Sequence, residues 1–334
     1  MGTLMTRTTW FRQARWGVFA HYLAAPASSV DQVALTPEQW SAQVESFDVP
    51  RLAADLADMG ARYFFITIGQ NTGFFCSPNE TYDGLVGRTP SRLSRRDLVA
   101  DLADALESRG IRTLVYLPGH APAHDRLAVQ RLACTPPWDA SAWQLGPGSY
   151  LCEGDVDGRL TGFQQHWEAI IQEWSQRWGR RIHGWWIDGC YHADRMYRHA
   201  DRPNFASFAD AMRAGNPDSI VAFNPGVKLP VVCHTCHEDY TAGEVASVFP
   251  VDADPWAAEN ARLIDGCVQQ AQYHLLTHMG QHWGRGEPRF SEEFVRSYTR
   301  LINDQGGTVS WDVPIDAGGR IPDVFRKNLS RIEA

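Results

Sequence analysis

No stretch of about 18 uninterrupted apolar residues occurs in the 334-residue chain, so nothing in it reads as a membrane-spanning helix. Positive charge is also scarce. Thirty-one Lys and Arg face 39 Asp and Glu, a formal net charge of −8 that repels phosphate backbones and anionic lipid. Nucleic-acid and membrane partners are therefore not expected, and a neutral ligand is. Seven cysteines, Cys76, Cys134, Cys152, Cys190, Cys233, Cys236 and Cys267, are odd in number and widely spread, which argues against a complete disulfide framework. The segment Met1–Trp16 has no apolar signal core, and with the cysteine pattern it sets the expectation of a cytoplasmic protein. Glycine-rich phosphate loops are missing from the turns after the apolar runs, so neither a dinucleotide fingerprint nor a P-loop is present and no cofactor is expected. No Pro- or Ser-rich linker, low-complexity tract or internal repeat divides the chain, which reads as one domain over residues 1–334.

What the chain does have is an apolar fraction of 44% and 13 tryptophans. The first is enough for a large core. Indole faces stack on the C–H faces of sugars, although core packing is their ordinary use. Short apolar runs at Trp16–His21, Arg62–Ile68, Arg112–Leu117, Gly184–Ile187 and Ile220–Phe223 read as buried parallel strands. Between them Val49–Met59, Arg95–Arg109 and Thr161–Trp178 have helical spacing, and Gly60 and Gly110 fall where helices should stop. Further on, Gln269–His278 reads as helix or strand, Ser291–Asn303 as helix and Thr308–Val313 as a last strand. The repeating order predicts an α/β fold, a (β/α)8 TIM-like barrel, with a doubly wound open sheet as the alternative.

One segment concentrates chemistry. In His183-Gly184-Trp185-Trp186-Ile187-Asp188-Gly189 an apolar run meets one carboxylate and then a glycine, which places Asp188 where a buried strand opens into a cleft. In a parallel barrel that is the mouth where reacting groups converge. An Asp capping the next helix is the plainer alternative. Trp186, two residues earlier, points the same way by period-two alternation and forms an apolar wall there.

The stretch Trp10-Phe11-Arg12-Gln13-Ala14-Arg15-Trp16-Gly17-Val18-Phe19-Ala20-His21 resembles the first strand of glycoside hydrolase family 29, the α-L-fucosidases. The likeness continues in order through Phe47-Asp48 to Tyr63, Arg96-Asp97-Leu98-Val99 to Arg112, Trp186-Ile187-Asp188-Gly189, and Gly306-Gly307-Thr308 to Pro322. The resemblance implies a retaining exo-glycosidase whose nucleophile is Asp188. Its acid/base is Glu244, at the end of Asp239-Tyr240-Thr241-Ala242-Gly243-Glu244, with Glu238 in reserve. Retaining hydrolysis needs two carboxyl groups about 5–5.5 Å apart, one to attack and one to protonate the leaving oxygen. Tyr240 and Trp283 are expected to give Glu244 apolar surroundings.

The expected substrate-binding set is His21, Trp40, Gln70, Asn71, His120, Trp186 and Trp283. Where family members place a His-His pair after the second strand, this chain has Gly69-Gln70-Asn71-Thr72-Gly73-Phe74, which brings fucose recognition into question. His120 at the end of the third strand is the expected compensation. Lys228 is only an approximate counterpart of an arginine that fucosidases carry upstream of the acid/base. Cys233-His234-Thr235-Cys236-His237 is too compressed for four ligands to one zinc, and His278 and His282 lack the intervening glutamate of a metalloprotease helix, so no metal is expected. Asp155 and Asp157, beside Gly154 and Gly158, read as a solvated turn. The partner called for is a small carbohydrate or glycoside, with homo-oligomerisation left open. Two other functions stand beside this one: a glycosidase for a different glycoside or glycosylated metabolite, and a non-catalytic carbohydrate-binding barrel.

Overall fold

The computed structural model describes residues 6–25, 35–134, 159–190, 196–253, 262–264, 267–269 and 271–332. Cys152, Asp155 and Asp157 lie outside them. Seven parallel strands form one curled sheet: β1 (Trp16–Ala20), β2 (Tyr63–Thr67), β3 (Arg112–Pro118), β4 (Ile182–Asp188), β5 (Ile220–Phe223), β8 (His274–His278) and β11 (Thr308–Val313). Their order is β5-β4-β3-β2-β1-β11-β8. Two antiparallel hairpins, β6 (Arg262–Ile264) with β7 (Cys267–Gln269) and β9 (Gly280–His282) with β10 (Arg285–Pro288), stand outside it. The helices are α1 (Thr9–Ala14), α2 (Pro37–Glu45), α3 (Val49–Met59), α4 (Glu80–Val86), α5 (Leu98–Glu107), α6 (Arg126–Arg131), α7 (Thr161–Trp178), α8 (Phe205–Arg213), α9 (Glu292–Asp304) and α10 (Asp323–Leu329). Among the described residues no helix is long and apolar enough to cross a membrane.

Period-two alternation splits each strand between two cores. Phe19, Phe65, Leu114, Tyr116, Trp186, Ala222 and Leu276 face one another inside the curl, while Val18, Phe64, Val115, Trp185, Val221, Leu275 and Trp311 pack outward against the helices. The inward rows, continued to the C-terminal ends, deliver His21, Asp188, Asn224 and Asp312 to one mouth. Helix starts follow from short polar caps: Asp48 accepts from Arg51 N at 3.0 Å and Asp97 from Ala100 N at 3.0 Å. Gly60 ends α3 at φ +80°, as its place in the sequence predicts.

Most tryptophans serve the outer core. On α7, Trp167, Trp174 and Trp178 share one buried face, and their indole N–H groups donate to Pro118 O, Pro78 O and the Asp97 carboxylate. Each thereby ties a loop of the barrel top or a cap to the helix layer.

The eighth barrel position is a departure from expectation: among the described residues the sheet is a curled half-barrel of seven regular strands, without a regular eighth to close it. Residues 239–245 lie along β8, with Thr241 N on Gln272 O at 3.0 Å, Leu276 N on Gly243 O at 2.9 Å and Val245 N on Leu276 O at 2.9 Å. On the other edge Asp239 N reaches Val221 O at 2.8 Å, but Val221 N and Phe223 N are met by the side-chain carboxylates of Asp239 and Glu238, at 2.9 and 3.0 Å. Carboxylates here stand in for the backbone carbonyls of a ladder, which is why no regular strand forms. Gly243, at φ +64°, makes the close approach to β8 feasible, since a Cβ there would stand 1.9 Å from His274 O.

Candidate active site

A cavity of about 210 Å³ opens at the C-terminal mouth of the sheet, lined by Phe19, His21, Gln70, Tyr116, Trp186, Asp188, Glu244, Leu276, His282 and Trp283. Asp188 ends β4 and is half-buried. Three donors converge on its carboxylate: Tyr116 Oη at 2.6 Å on Oδ2, and Gly189 N at 2.8 Å and Asn224 Nδ2 at 2.9 Å on Oδ1. The Tyr116 hydroxyl itself accepts from Gln70 Nε2 at 2.6 Å. A chain of hydrogen bonds therefore runs from the loop after β2 to the strand-end carboxylate.

Glu244 faces Asp188 from the segment 239–245. Asn224 Nδ2, which donates to Asp188, also donates to Glu244 Oε2 at 2.6 Å, so the two bonded oxygens are no further apart than the sum of two hydrogen-bond lengths. Burial and then the negative charge of Asp188 raise the Glu244 pKa to about 7, with the Asn224 amide and His21 acting in the opposite direction. The segment is pinned from several sides: Trp186 Nε1 donates to Ala242 O at 2.9 Å, Tyr240 Oη to Trp185 O at 2.8 Å, and Arg7 and Arg213 both pair with Asp239.

A raised pKa does not separate the two glutamates, since burial lifts Glu238 to about 8. Their partners do. Glu238 is 3% exposed and spends its oxygens on the backbone N–H groups of Phe223, His234 and Thr235. It closes the sheet edge and does not line the cavity, whereas Glu244 does.

His21 is held by Asp312, with Nδ1 at 2.8 Å from Oδ1 and the other carboxylate oxygen accepting from Gly284 N at 2.6 Å. Asp312 is fully buried. An acceptor on Nδ1 fixes the ring hydrogen there and leaves Nε2 for a ligand. The turn of the β9–β10 hairpin lays Trp283 over this dyad, 5.9 Å from His21 and 4.7 Å from His278 between ring centroids.

Of the nine expected site residues, six meet in the cavity: Asp188, Glu244, His21, Gln70, Trp186 and Trp283. Trp40 does not. It is fully buried on α2, packs on Tyr22 and Phe74, and donates to Phe75 O at 2.9 Å, so it props the loop after β2 from behind. Asn71 lies beside Gln70 with its carbonyl bonded to His124 N and its side chain outside the lining. His120 packs on the turn at Gly189, with Nδ1 on Ala121 O at 2.8 Å. Tyr116, Asn224 and Asp312 are site residues the motifs did not single out, and His282, named in the sequence only as half of a rejected metal pair, lines the cavity. Tyr116 and Asp312 lie on inward rows within runs already read as strands, and Asn224 one residue past Ile220–Phe223 on the inward row. Lys228 contributes nothing to the lining. Among the described residues no group of three or more His, Cys, Asp or Glu side chains converges as a metal site does. The buried Cys233 thiol lies against Tyr240 O at 3.9 Å.

The raised Glu244 pKa carries a stability consequence with a definite sign. Folding favours the protonated form, so this contribution is complete below about pH 4.5 and is lost as pH rises through about 7. Glu244→Gln removes that penalty and is expected to be more stable than the parent at pH 8, by on the order of 1–3 kcal/mol, with little difference at pH 4.5. Thermal unfolding at the two pH values checks this; an equal change at both would contradict it.

The α-L-fucosidase family model matches residues 35–333. Comparison with curated proteins gives no match. Among solved structures, two endo-fucoidan hydrolases of glycoside hydrolase family 107, MfFcnA9 and MfFcnA4, are 18% and 17% identical, each with a TM-score of 0.69. The alignments cover 97% and 98% of this chain, which spans only 62% and 54% of theirs. The α-L-fucosidase AlfC from Lactobacillus casei, in complex with α-L-fucose product, is 16% identical with a TM-score of 0.60, covering 97% of this chain and 96% of AlfC. These likenesses speak for the fold. The family match spans nearly the whole sequence, and the chain belongs to the α-L-fucosidase family, glycoside hydrolase family 29.

Proposed function

We propose that this chain is a retaining exo-glycosidase acting on α-L-fucosides or glycosides of a closely related neutral deoxy sugar, with Asp188 as nucleophile and Glu244 as acid/base. One observation carries the reading: a single amide, Asn224 Nδ2, hydrogen-bonds both carboxylates. The resulting spacing belongs with the about 5–5.5 Å of retaining enzymes, whereas inverting enzymes hold the pair about 6.5–9.5 Å apart to admit a water between acid and base. Asp188 attacks the anomeric carbon while Glu244 gives its proton to the departing oxygen; Glu244 then takes a proton from the water that cleaves the glycosyl ester. A pKa near 7 lets one group serve in both directions.

The cavity fits one sugar ring. Its volume is below the roughly 300–1,000 Å³ of drug-sized sites, and among the described residues no Lys or Arg lines it to receive an anionic sugar. Phe19, Trp186, Leu276 and Trp283 offer apolar faces to C–H groups and a deoxy methyl, while His21 and His282 offer polar contacts. Two converging carboxylates beside an apolar wall weigh against a binding-only barrel.

Gln70 favours a second reading, a different glycoside. Its amide nitrogen is taken by Tyr116, so the loop after β2 presents fewer donors than an imidazole pair. A panel of aryl glycosides at about pH 6 separates the two: fastest turnover of the α-L-fucoside supports the first, and turnover confined to another sugar supports the second. No hydrolysis of any member would overturn both.

A further inference from the structure

We propose that Asn224 is a positioning residue that follows the negative charge as it crosses between Asp188 and Glu244, serving both half-reactions; the proposal rests on the retaining reading above. The amide is fixed as few are. Asn224 is fully buried, its backbone N–H donates to Ile187 O at 2.7 Å and its carbonyl accepts from Cys190 N at 3.1 Å, so both main-chain groups are tied to the end of β4 that bears Asp188. Its side-chain oxygen accepts from Gly226 N at 3.1 Å. That bond settles which end of the amide is which, because a flipped side chain would set NH₂ against an N–H donor. Nδ2 must therefore face the carboxylates, with one hydrogen for each.

In the first half-reaction the Asp188 oxygen bonds to the anomeric carbon, the bond to the leaving oxygen breaks, and the Glu244 proton passes to that oxygen. The negative charge has then moved from Asp188, now an ester, to Glu244. Water reverses this: its oxygen bonds to carbon, the ester bond breaks, and its proton goes to Glu244. A hydrogen bond to an ionised carboxylate is about twice as strong as one to a neutral group. With one hydrogen on each side, the amide holds its strong bond wherever the charge stands, without reorienting.

The groups facing Glu244 are Asp188 from β4, His21 from β1 and Asn224 from the end of β5, with His282 and Trp283 of the β9–β10 hairpin on the same cavity. Asn224 is the neutral donor that hydrogen-bonds Glu244. Removing it leaves the Asp188 charge less screened and Glu244 harder to ionise.

Titration of the Glu244 carboxyl by 13C NMR, its signal assigned by loss in Glu244→Gln, tests this alongside the pH profile of kcat. Asn224→Ala is expected to move the midpoint upward by about one unit or more and to lower kcat about 10–100-fold, with KM little changed because the amide contacts carboxylates and not sugar. Asn224→Asp keeps the shape and adds a charge, so its midpoint should move further the same way. An unmoved midpoint in Asn224→Asp overturns the proposal, even if Asn224→Ala fails to fold. A loss carried by KM with an unmoved pH profile overturns it as well. If Glu244→Gln retains the alkaline limb of the parent, the acid/base assignment itself is wrong, which separates that failure from this one.

Discussion

Asp188→Asn is expected to lose about four orders of magnitude or more in turnover of an aryl α-L-fucoside while unfolding within about 1 kcal/mol of the parent. The loss is large because the covalent route disappears. The fold is spared because Asp188 sits half-buried at a strand end, and the amide oxygen of asparagine can still accept from Gly189 N and Asn224 Nδ2 while its NH₂ donates to the Tyr116 hydroxyl oxygen. The smaller Asp188→Gly leaves room for an external anion on the face that the carboxylate occupied. Azide added to that variant should yield a β-configured glycosyl azide, the inverted product, detected by NMR. Near-parental activity in either variant would remove Asp188 from the role of nucleophile.

Glu244→Ala separates leaving groups by their basicity. Hydrolysis of substrates with alkyl or sugar leaving groups should fall about 10²–10⁴-fold, whereas activated aryl substrates, which depart without a proton, should keep rapid formation of the glycosyl-enzyme. Azide should then rescue turnover and give an α-configured azide, since it attacks the ester from the side that water uses. In the parent, kcat/KM should decline above about pH 7 as Glu244 loses the proton that the leaving group needs, and this limb should vanish in Glu244→Ala. Equal losses for both leaving-group classes would move the acid/base role elsewhere. Glu238 is a poor recipient, because its oxygens hold three backbone N–H groups.

The fold was legible wherever periodicity and caps spoke together. Val49–Met59, Thr161–Trp178, Ile220–Phe223 and Thr308–Val313 have the bounds read from the sequence, and β1 through β4 differ by one or two residues at an end. The eighth position was not legible, because Asp239 and Glu238 satisfy β5 through side chains, and a ladder built from carboxylates leaves no periodic signal. At the site, Asp188, Trp186 and His21 announced themselves by interrupting or ending apolar strands. Asn224 did not, since a lone amide after Ile220–Phe223 reads as an ordinary turn residue. Trp40 misled for the opposite reason. A tryptophan is as useful under a loop as in a sugar site, and only burial on α2 distinguishes the two. The Gln70-Asn71 pair divides: Gln70 lines the cavity, and Asn71 does not.

The anomeric configuration of the sugar first released from an aryl α-L-fucoside, followed by proton NMR before mutarotation, tests the pairing of Asp188 with Glu244 most directly. Two carboxylates joined through one amide place the second within reach of the anomeric carbon and leave no space for a water between them, so the α-anomer is expected first. Initial release of the β-anomer would mean a single displacement by water and would contradict the account.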